Sequence, residues 1–122
     1  MAYYLSKTST ERLGECDRDL QKVFREVIKY IDFSVICGFR DENDQNEAYL
    51  RGNSSKKWPN SRHNNMPSTA IDVAPYPIDW DDLNSFYRLN GVIMTIAQQM
   101  NIKLIWGASF TTLVDLPHYQ LK

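Results

Sequence analysis

Residues 61–80 read SRHNNMPSTAIDVAPYPIDW and contain the pattern that most constrains the fold. Residues 69–74 combine small and branched apolar side chains, which predicts a buried β-strand that Pro75 and Pro77 end. Asp72 lies within this strand, where a carboxylate is disfavoured and is costly to bury without a partner. A metal ion, an arginine or a helix N-terminus could each stabilise its charge. The stretch therefore predicts a polar loop followed by a buried strand whose carboxylate needs a partner.

Helices and strands are mixed on both sides of this stretch. Apolar residues at helical spacing predict three helices, over residues 9–30, 41–52 and 81–100. The first would be capped by Ser9 or Thr10, and the second by Asp41. Short apolar runs predict four strands, over residues 33–38, 69–74, 102–106 and 118–121. Because no regular βαβ repeat is present, we expect an α+β fold: one small domain spanning residues 1–122, with a short, mostly antiparallel sheet packed by about three helices.

The segment between the second helix and the second strand is polar and long. Residues 53–68 contain Pro59 and Pro67 and carry no helical or strand periodicity. Loops of this length inside a compact domain are usually functional. We therefore expect this loop to contribute to the functional site.

The composition limits the possible functions. The chain has 122 residues, of which 43% are hydrophobic and 12% aromatic, and this is enough for one packed core. Its 14 basic and 15 acidic residues give a net charge of -1, so no electrostatic argument favours nucleic acid as a partner. No apolar run is long enough to span a bilayer, and the N-terminus shows no apolar stretch typical of a signal peptide. We therefore expect a chain that is made in the cytoplasm. We also expect it to be a monomer.

The chain contains two cysteines, Cys16 and Cys37. They form no C-x-x-C pair, so the sequence does not support a cysteine zinc site or a redox motif. Cys16 falls on the apolar face of the first predicted helix, and Cys37 lies in an apolar run. We interpret both as buried free thiols that pack as small hydrophobic side chains, and a disulfide is the alternative.

Only two histidines occur, His63 in the polar loop and His118 at the start of the last predicted strand. Two imidazoles and a carboxylate such as Asp72 form a common zinc ligand set that leaves a fourth position for water. Zinc lowers the pKa of that water to about 7, and a nearby carboxylate can take up its proton. Asp115, three residues before His118, is placed for this task. A single histidine is more often a surface or core residue than a ligand, so the spacing alone leaves both interpretations open.

The same residues carry a resemblance to a known family. Residues 61–80 resemble the first metal motif of the peptidase M15 family, and residues 115–119, DLPHY, resemble its second. Gly38-Phe39-Arg40, Gln45 and residues 49–52 resemble the family's segment upstream of the metal site. The family contains D-alanyl-D-alanine carboxypeptidases and dipeptidases of the VanY and VanX type, and L-alanyl-D-glutamate peptidases that act as phage endolysins. The resemblance covers most of the chain.

This resemblance implies a role for each of five residues. His63, Asp72 and His118 match the zinc ligands, and Asp115 matches the catalytic acid and base. Arg40 matches an arginine that polarises the scissile carbonyl or holds a substrate carboxylate, since a fixed guanidinium can stabilise a developing oxyanion. The alternative for this arginine is a structural ion pair with Asp41 or Glu42.

The spacing of the first motif favours one substrate. Many family members have His-x-x-Gly-x-Ala-x-Asp, whereas two more residues separate His63 from Asp72 here, as in the endolysin-type subgroup. The resemblance therefore implies a zinc-dependent endolysin that cuts the L-alanyl-D-glutamate bond of the peptidoglycan stem peptide. Such a protein would stay in the host cytoplasm until it is released to the cell wall. The alternatives are a D-alanyl-D-alanine carboxypeptidase or dipeptidase, and a metal-dependent wall-binding module without turnover.

The loop after Gly107 departs from the subgroup pattern. The subgroup often continues with glycine, aspartate and an aromatic residue, whereas this chain has Ala108, Ser109 and Phe110. The acidic residue is missing. The resemblance therefore predicts the metal site but not the substrate contacts of this loop.

Overall fold

The computed structural model describes residues 3–109 and 114–122. Within these ranges the chain forms four α-helices: α1 (Lys7–Gly14), α2 (Arg18–Val27), α3 (Glu42–Leu50) and α4 (Leu83–Gln99). It also forms four strands: β1 (Phe33–Cys37), β2 (Ala70–Pro75), β3 (Leu104–Trp106) and β4 (His118–Leu121). Two short 3-10 helices span Arg62–Asn64 and Gly107–Ser109.

The strands form one sheet in the order β1-β2-β4-β3, and every neighbouring pair is antiparallel. The predicted α+β class and antiparallel sheet are therefore confirmed. In the chain β2 is followed by α4, β3 and then β4, so β4 inserts between β2 and β3. This order places the last strand beside the strand that contains Asp72.

The first predicted helix differs from the structure, which has two helices where the sequence predicted one over residues 9–30. Helix α1 begins earlier than predicted, with Ser6 instead of Ser9 or Thr10 as its cap. Helix α2 has its own cap, Asp17, whose side chain accepts a hydrogen bond from the Asp19 N–H. The described residues therefore contain four α-helices, because the first predicted helix is divided into α1 and α2.

The break between α1 and α2 allows the backbone there to form hydrogen bonds with the end of the long polar loop, at Ser68. The Asp17 N–H donates to the Ser68 carbonyl at 2.8 Å, and the Ser68 N–H donates to the Glu15 carbonyl at 2.9 Å. A helical backbone could not offer both groups to a neighbouring segment, because it uses them internally. The break therefore joins the end of the loop to the helical layer just before β2 begins.

The observed bounds of α3, β2 and α4 lie close to those predicted from the sequence. Helix α3 begins after its predicted cap, Asp41, whose side chain accepts from the Asp44 N–H at 2.9 Å. Its end is marked by Gly52, which has a positive φ of 78° that favours glycine. Strand β2 and helix α4 lie within two residues of their predicted bounds.

One face of the sheet packs against the helices and forms the core. Ile71 and Val73 of β2 and Tyr119 of β4 are buried there, and the Phe24 ring of α2 meets the Tyr119 ring at 5.9 Å between centroids. Side chains alternate between the faces of a strand, so Asp72 and His118 point to the opposite face. No helix in the described ranges is both long and apolar enough to cross a membrane.

Candidate metal centre and active site

Asp72 lies at the centre of a row of residues that crosses three strands. Its partner across the β1–β2 pair is Cys37, and its partner across the β2–β4 pair is His118. The β1–β2 register shifts between Val35 and Cys37, so that Cys37 and not Ile36 lies opposite the carboxylate. The sheet itself therefore brings together one predicted ligand from β2 and another from β4.

His63 reaches the same point from the long loop. The 3-10 helix that carries it is capped by Ser61, whose hydroxyl accepts from the His63 N–H at 3.2 Å, while Asn64 bonds back to the Ser61 N–H at 3.0 Å. The Arg40 N–H donates to the His63 carbonyl at 2.8 Å. These contacts fix the loop backbone, and the His63 side chain is only 2% exposed.

The three predicted ligands form a compact triangle. His63 Nε2 lies 3.2 Å from Asp72 Oδ1, and His118 Nδ1 lies 3.1 Å from the same oxygen. The two ring nitrogens are 3.3 Å apart. Residues that are 55 positions apart in sequence therefore present three donor atoms to a single point.

Hydrogen bonds on the outer side of each ring decide which nitrogen carries a lone pair. His63 Nδ1 donates to the Gly38 carbonyl at 2.8 Å, and His118 Nε2 donates to Gln120 Oε1 at 2.8 Å. In the neutral imidazoles, the nitrogens that face Asp72 therefore carry lone pairs. Two lone pairs and a carboxylate oxygen repel one another unless a positive charge lies between them.

The pKa shifts of His63 and Asp72 also indicate that a positive charge would stabilise this group of atoms. Burial alone would lower the pKa of His63, but the Asp72 carboxylate and, to a smaller extent, the Cys37 side chain raise it to about 10. Burial alone would raise the pKa of Asp72, but the charges and hydrogen bonds of His63 and His118 hold it well below its usual range. A proton on His63 or a metal ion at the centre of the triangle would each satisfy these groups.

The triangle also has the dimensions of a zinc site. Donors about 2.0 Å from a tetrahedral zinc ion are about 3.3 Å from one another, since zinc sites combine these distances with tetrahedral angles. The three observed separations are 3.1, 3.2 and 3.3 Å. Two imidazole nitrogens and one carboxylate oxygen are donor types that zinc prefers. The residues present therefore fit a zinc ion with one further position open.

Asp115 lies next to this triangle, on the segment that leads into β4. One of its carboxylate oxygens lies within 4.8 Å of donor atoms of Asp72 and His118. Its N–H donates to the Gly107 carbonyl at 3.1 Å, and its carbonyl accepts from the His118 N–H at 3.1 Å. A side chain at Gly107 would collide with the Asp115 backbone, so glycine allows this close approach.

The environment of Asp115 makes its carboxylate more basic. Burial and then the charge of Asp72 raise the pKa of Asp115, while His118, His63 and Arg40 oppose the shift. A carboxylate with a raised pKa holds a transferred proton better than an ordinary one. The structure thus places beside the triangle a group that can accept a proton.

Arg40 also points into the site. Its Nη2 lies 3.5 Å from Asp72 Oδ2, and its Nη1 donates to Gln45 Oε1 at 3.0 Å. In the described part of the chain this is the ion pair that Arg40 makes, and the alternative partners at positions 41 and 42 are not used. The guanidinium therefore pairs with Asp72 Oδ2, whereas the distances from the two imidazoles are to Oδ1.

Comparisons with known proteins agree with this geometry. The sequence matches the family of phage L-alanyl-D-glutamate peptidases over residues 1–119. The chain belongs to this family. It is 30% identical over 127 residues to the L-alanyl-D-glutamate peptidase of Escherichia phage T5, and the match covers 100% of this chain and 91% of that protein.

A solved structure extends the similarity to the fold. The chain matches the crystal structure of the Serratia marcescens L-Ala D-Glu endopeptidase ChiX with a TM-score of 0.82 and 29% identity. The match covers 98% of this chain and 90% of that one. The resemblance to endolysin-type peptidases that the sequence predicted is confirmed at the level of the family.

Three groups in this member of the phage L-alanyl-D-glutamate peptidase family were not singled out by the sequence. Gln120 and the Gly38 carbonyl orient the two imidazoles, as the outer neighbours of metal-binding histidines usually do. Cys37, interpreted as a buried thiol, is half-buried and faces the site. The alternation of a strand could have revealed Gln120, which lies two residues after His118 on the same face. Phe110, whose substrate contacts the sequence left open, lies outside the described residues.

Proposed function

We propose that this chain is a zinc-dependent peptidoglycan peptidase that hydrolyses the L-alanyl-D-glutamate bond of the stem peptide, as a phage endolysin does. The observation that carries this proposal is the triangle of His63, Asp72 and His118, whose donor atoms are 3.1–3.3 Å apart. Family membership supports the choice of bond, because the matching relatives are named for that activity.

In this proposal His63, Asp72 and His118 hold the zinc ion, while Gly38 and Gln120 keep the imidazoles in the tautomers that can bind it. When bound, zinc supplies a Lewis acid that polarises the scissile carbonyl and makes water a competent nucleophile near neutral pH. The remaining chemistry is the movement of protons and the stabilisation of negative charge on the carbonyl oxygen.

Asp115 performs the proton transfer in this proposal. It takes a proton from the attacking water and delivers that proton to the leaving amine of D-glutamate, so the carboxylate is regenerated in each cycle. Its raised pKa and its position within 4.8 Å of Asp72 and His118 support this role. Arg40 pairs with Asp72 Oδ2 beside the proposed metal site, and in this proposal its positive charge stabilises the developing oxyanion.

The proposal predicts both a metal content and a product. Purified protein expressed with zinc should contain one zinc per chain by elemental analysis. Digestion of purified peptidoglycan should release peptides that begin with D-glutamate. The glycan strands should then carry stem peptides that are cut back to a single L-alanine. Mass spectrometry of the digest identifies both products, and removal of the metal with a chelator should abolish them until zinc is restored.

Other results would contradict the proposal in distinguishable ways. Release of free D-alanine alone would favour a D-alanyl-D-alanine carboxypeptidase or dipeptidase. Binding of the zinc-loaded protein to cell walls without any new amino groups would favour a wall-binding module. A protein that holds no transition metal after expression with zinc would disprove the metal centre itself.

A further inference from the structure

A group of exposed aromatic and apolar side chains lies at the start of α4, outside the proposed metal centre. Trp80, Leu83 and Tyr87 are 54%, 50% and 52% exposed. Leu83 and Tyr87 lie one helical turn apart on the same face of α4. Apolar side chains that are exposed as a group mark interaction sites more often than those that are scattered singly. We call these three residues the aromatic platform.

The tryptophan of the platform is held from beneath. The Trp80 ring stacks on the buried Phe86 ring, at 5.6 Å between centroids and 24° between planes. Phe86 is three residues after Leu83 on α4, so the Trp80 ring lies close to Leu83. Since Trp80 is still half exposed, the other face of its ring is open to solvent. A ring that is fixed in this way can bind a flat ligand with little loss of side-chain entropy.

Two contacts connect the platform to the segment that carries Asp115. The Tyr87 ring meets the Trp106 ring edge to face, at 5.7 Å between centroids. The Trp106 indole N–H donates to the Leu116 carbonyl at 2.7 Å, and Leu116 directly follows Asp115. The platform therefore adjoins the segment that carries the proposed proton acceptor.

The proposed reaction brings a sugar to this neighbourhood. When the L-alanyl-D-glutamate bond is cut, L-alanine stays on the glycan strand, so one residue and a short acyl linker separate the scissile bond from the sugar. One residue spans at most about 3.6 Å. A stem peptide that is bound at the metal centre therefore holds its sugar close to the segments that surround this centre.

The platform has the chemistry of a sugar-binding surface. One face of a pyranose ring is lined by C–H groups, which pack on the negative face of an aromatic ring. Tyrosine and tryptophan also carry a polar group at the tip that can bond to sugar hydroxyls. The turn before α4 adds three exposed carboxylates, those of Asp79, Asp81 and Asp82. These can accept hydrogen bonds from hydroxyls, but they would repel an anionic membrane and would repel one another across a symmetric dimer.

We propose that the aromatic platform binds the glycan strand of peptidoglycan, by stacking on the sugar to which the stem peptide is attached. The platform then recognises the sugar while the metal centre engages the peptide. A stem peptide that is attached to glycan is therefore cleaved faster than a free stem peptide of the same sequence. This inference rests on the proposed function, but it concerns residues outside the proposed catalytic and metal-binding groups.

A pair of substrates tests the platform. One is the free stem peptide, and the other is the same peptide attached to a disaccharide of N-acetylglucosamine and N-acetylmuramic acid. The natural protein should cleave the second with the higher kcat/KM. Tyr87→Leu and Trp80→Leu remove a ring but keep an apolar side chain. Each should lower kcat/KM for the disaccharide substrate by about 2–10-fold, the range for one aromatic contact, and leave kcat/KM for the free peptide unchanged.

Two further variants serve as controls. Tyr87→Phe keeps the ring and should retain most of the preference for the disaccharide substrate. Tyr4→Ala removes a tyrosine that is 84% exposed and should change neither rate. Tyr4 precedes α1, which packs against β1, and β1 and β3 form opposite edges of the sheet.

Direct binding separates this inference from the proposed function. The neutral tetramer of N-acetylglucosamine contains no peptide, and its binding to the full chain purified with zinc can be followed by NMR titration. Both leucine variants should bind the tetramer about 2–10-fold more weakly than the natural protein, and Tyr4→Ala should bind it equally well. Binding of the tetramer without cleavage of either substrate would support the platform and disprove the proposed function.

Other outcomes would overturn the platform. Equal cleavage of the two substrates by the natural protein, or an unchanged preference in both leucine variants, would do so and leave the proposed function intact. An equal loss of kcat/KM on both substrates would show that the rings only support the fold. Self-association or binding to phospholipid vesicles that the leucine variants lose, without binding of the tetramer, would replace the sugar by a second copy or by a membrane.

Discussion

Asp72 and Asp115 carry the same side chain, but their neighbours give the two carboxylates opposite properties. Asp72 shares one oxygen between His63 and His118, and the pKa of Asp72 is held well below its usual range. The pKa of Asp115 is raised, first by burial and then by the charge of Asp72. The first carboxylate is therefore suited to bind a cation, and the second to exchange a proton.

This contrast predicts different effects for two matched substitutions. Asp72→Ala removes one of the three predicted ligands and should weaken zinc binding severely. Asp115→Ala should keep its zinc but lower turnover by about 10²–10⁴-fold, the usual loss when a general acid or base is removed. Elemental analysis and initial rates on the same preparations measure both effects.

The opposite pattern would reverse the assignment of the two carboxylates. Asp115 also lies within 4.8 Å of donor atoms of Asp72 and His118, which makes it the alternative carboxylate ligand. In that case Asp115→Ala would lose zinc while Asp72→Ala would retain it. Full activity in Asp115→Ala would show that another group transfers the proton.

The site residues differ in how far the sequence could predict them. His63, Asp72 and His118 were predicted as ligands because they lie in motifs whose spacing resembles that of a known family. Cys37 was not predicted as a site residue, because its position opposite Asp72 depends on the shift in strand register between Val35 and Cys37. A shift of this kind is a property of the paired strands and leaves no mark in local composition.

At the scale of elements, helix α3 is attached to the long loop through one buried side chain. Gln45 is fully buried, and its Oε1 accepts from Arg40 Nη1 at 3.0 Å and from Asn64 Nδ2 at 3.1 Å. Its Nε2 donates to the Ser54 hydroxyl at 3.0 Å and to the Lys56 carbonyl at 2.6 Å. One amide thus joins the helix, the start of the loop and the arginine of the site.

Replacing this amide should affect both stability and catalysis. Gln45→Leu keeps a similar volume but leaves its partners unpaired, and each buried unpaired polar group costs about 1–3 kcal/mol. We expect a lower urea midpoint and, because Arg40 and the turn that carries His63 lose a support, a lower kcat. The substitution Gln98→Leu, on the exposed face of α4, is the matched control and should change neither.

A different result would show that the loop is held by other contacts. If Gln45→Leu unfolds at the same urea concentration as the natural protein and retains its kcat, the amide network does not position the site. If stability falls but kcat per folded molecule is unchanged, Gln45 supports the loop without orienting Arg40. Zinc content measured on the same samples separates either result from a loss of metal.

The elements themselves were predicted unevenly. Strand β2 and helix α4 were predicted well, because prolines end the strand and one apolar face runs the length of the helix. The break between α1 and α2 was missed, because Leu13 and Leu20 are both buried in the core and remain in phase across it. What separates the two helices is a backbone contact with Ser68, and a single-sequence pattern carries no information about such a partner.

For the molecule as a whole, the buried thiol of Cys16 and the buried hydroxyl of Tyr119 make the free energy of unfolding depend on pH in the alkaline range. Burial raises the pKa of the Cys16 thiol to about 12, from an ordinary value of 9.0. Burial also raises the pKa of the Tyr119 hydroxyl, although a hydrogen bond from Asn90 opposes the shift. Both residues belong to the core that joins the helices to the sheet. Their ionisation is therefore coupled to global unfolding.

The sign of this linkage follows from the direction of the shifts. Below the ordinary pKa values both groups are neutral in the folded and unfolded states, so stability does not depend on them. Above pH 9 the unfolded thiol ionises while the buried one cannot, and folding loses up to about 1.4 kcal/mol per pH unit for that proton. We therefore expect the free energy of unfolding to fall between about pH 9 and pH 12, as urea titrations at several pH values would measure.

Cys16→Ala should show a shallower decline over this range, and Tyr119→Phe should remove the part of the decline that the hydroxyl causes at its upper end. If both variants lose stability with pH as steeply as the natural protein, the alkaline sensitivity arises from other groups and the core does not hold these two acids in their neutral form.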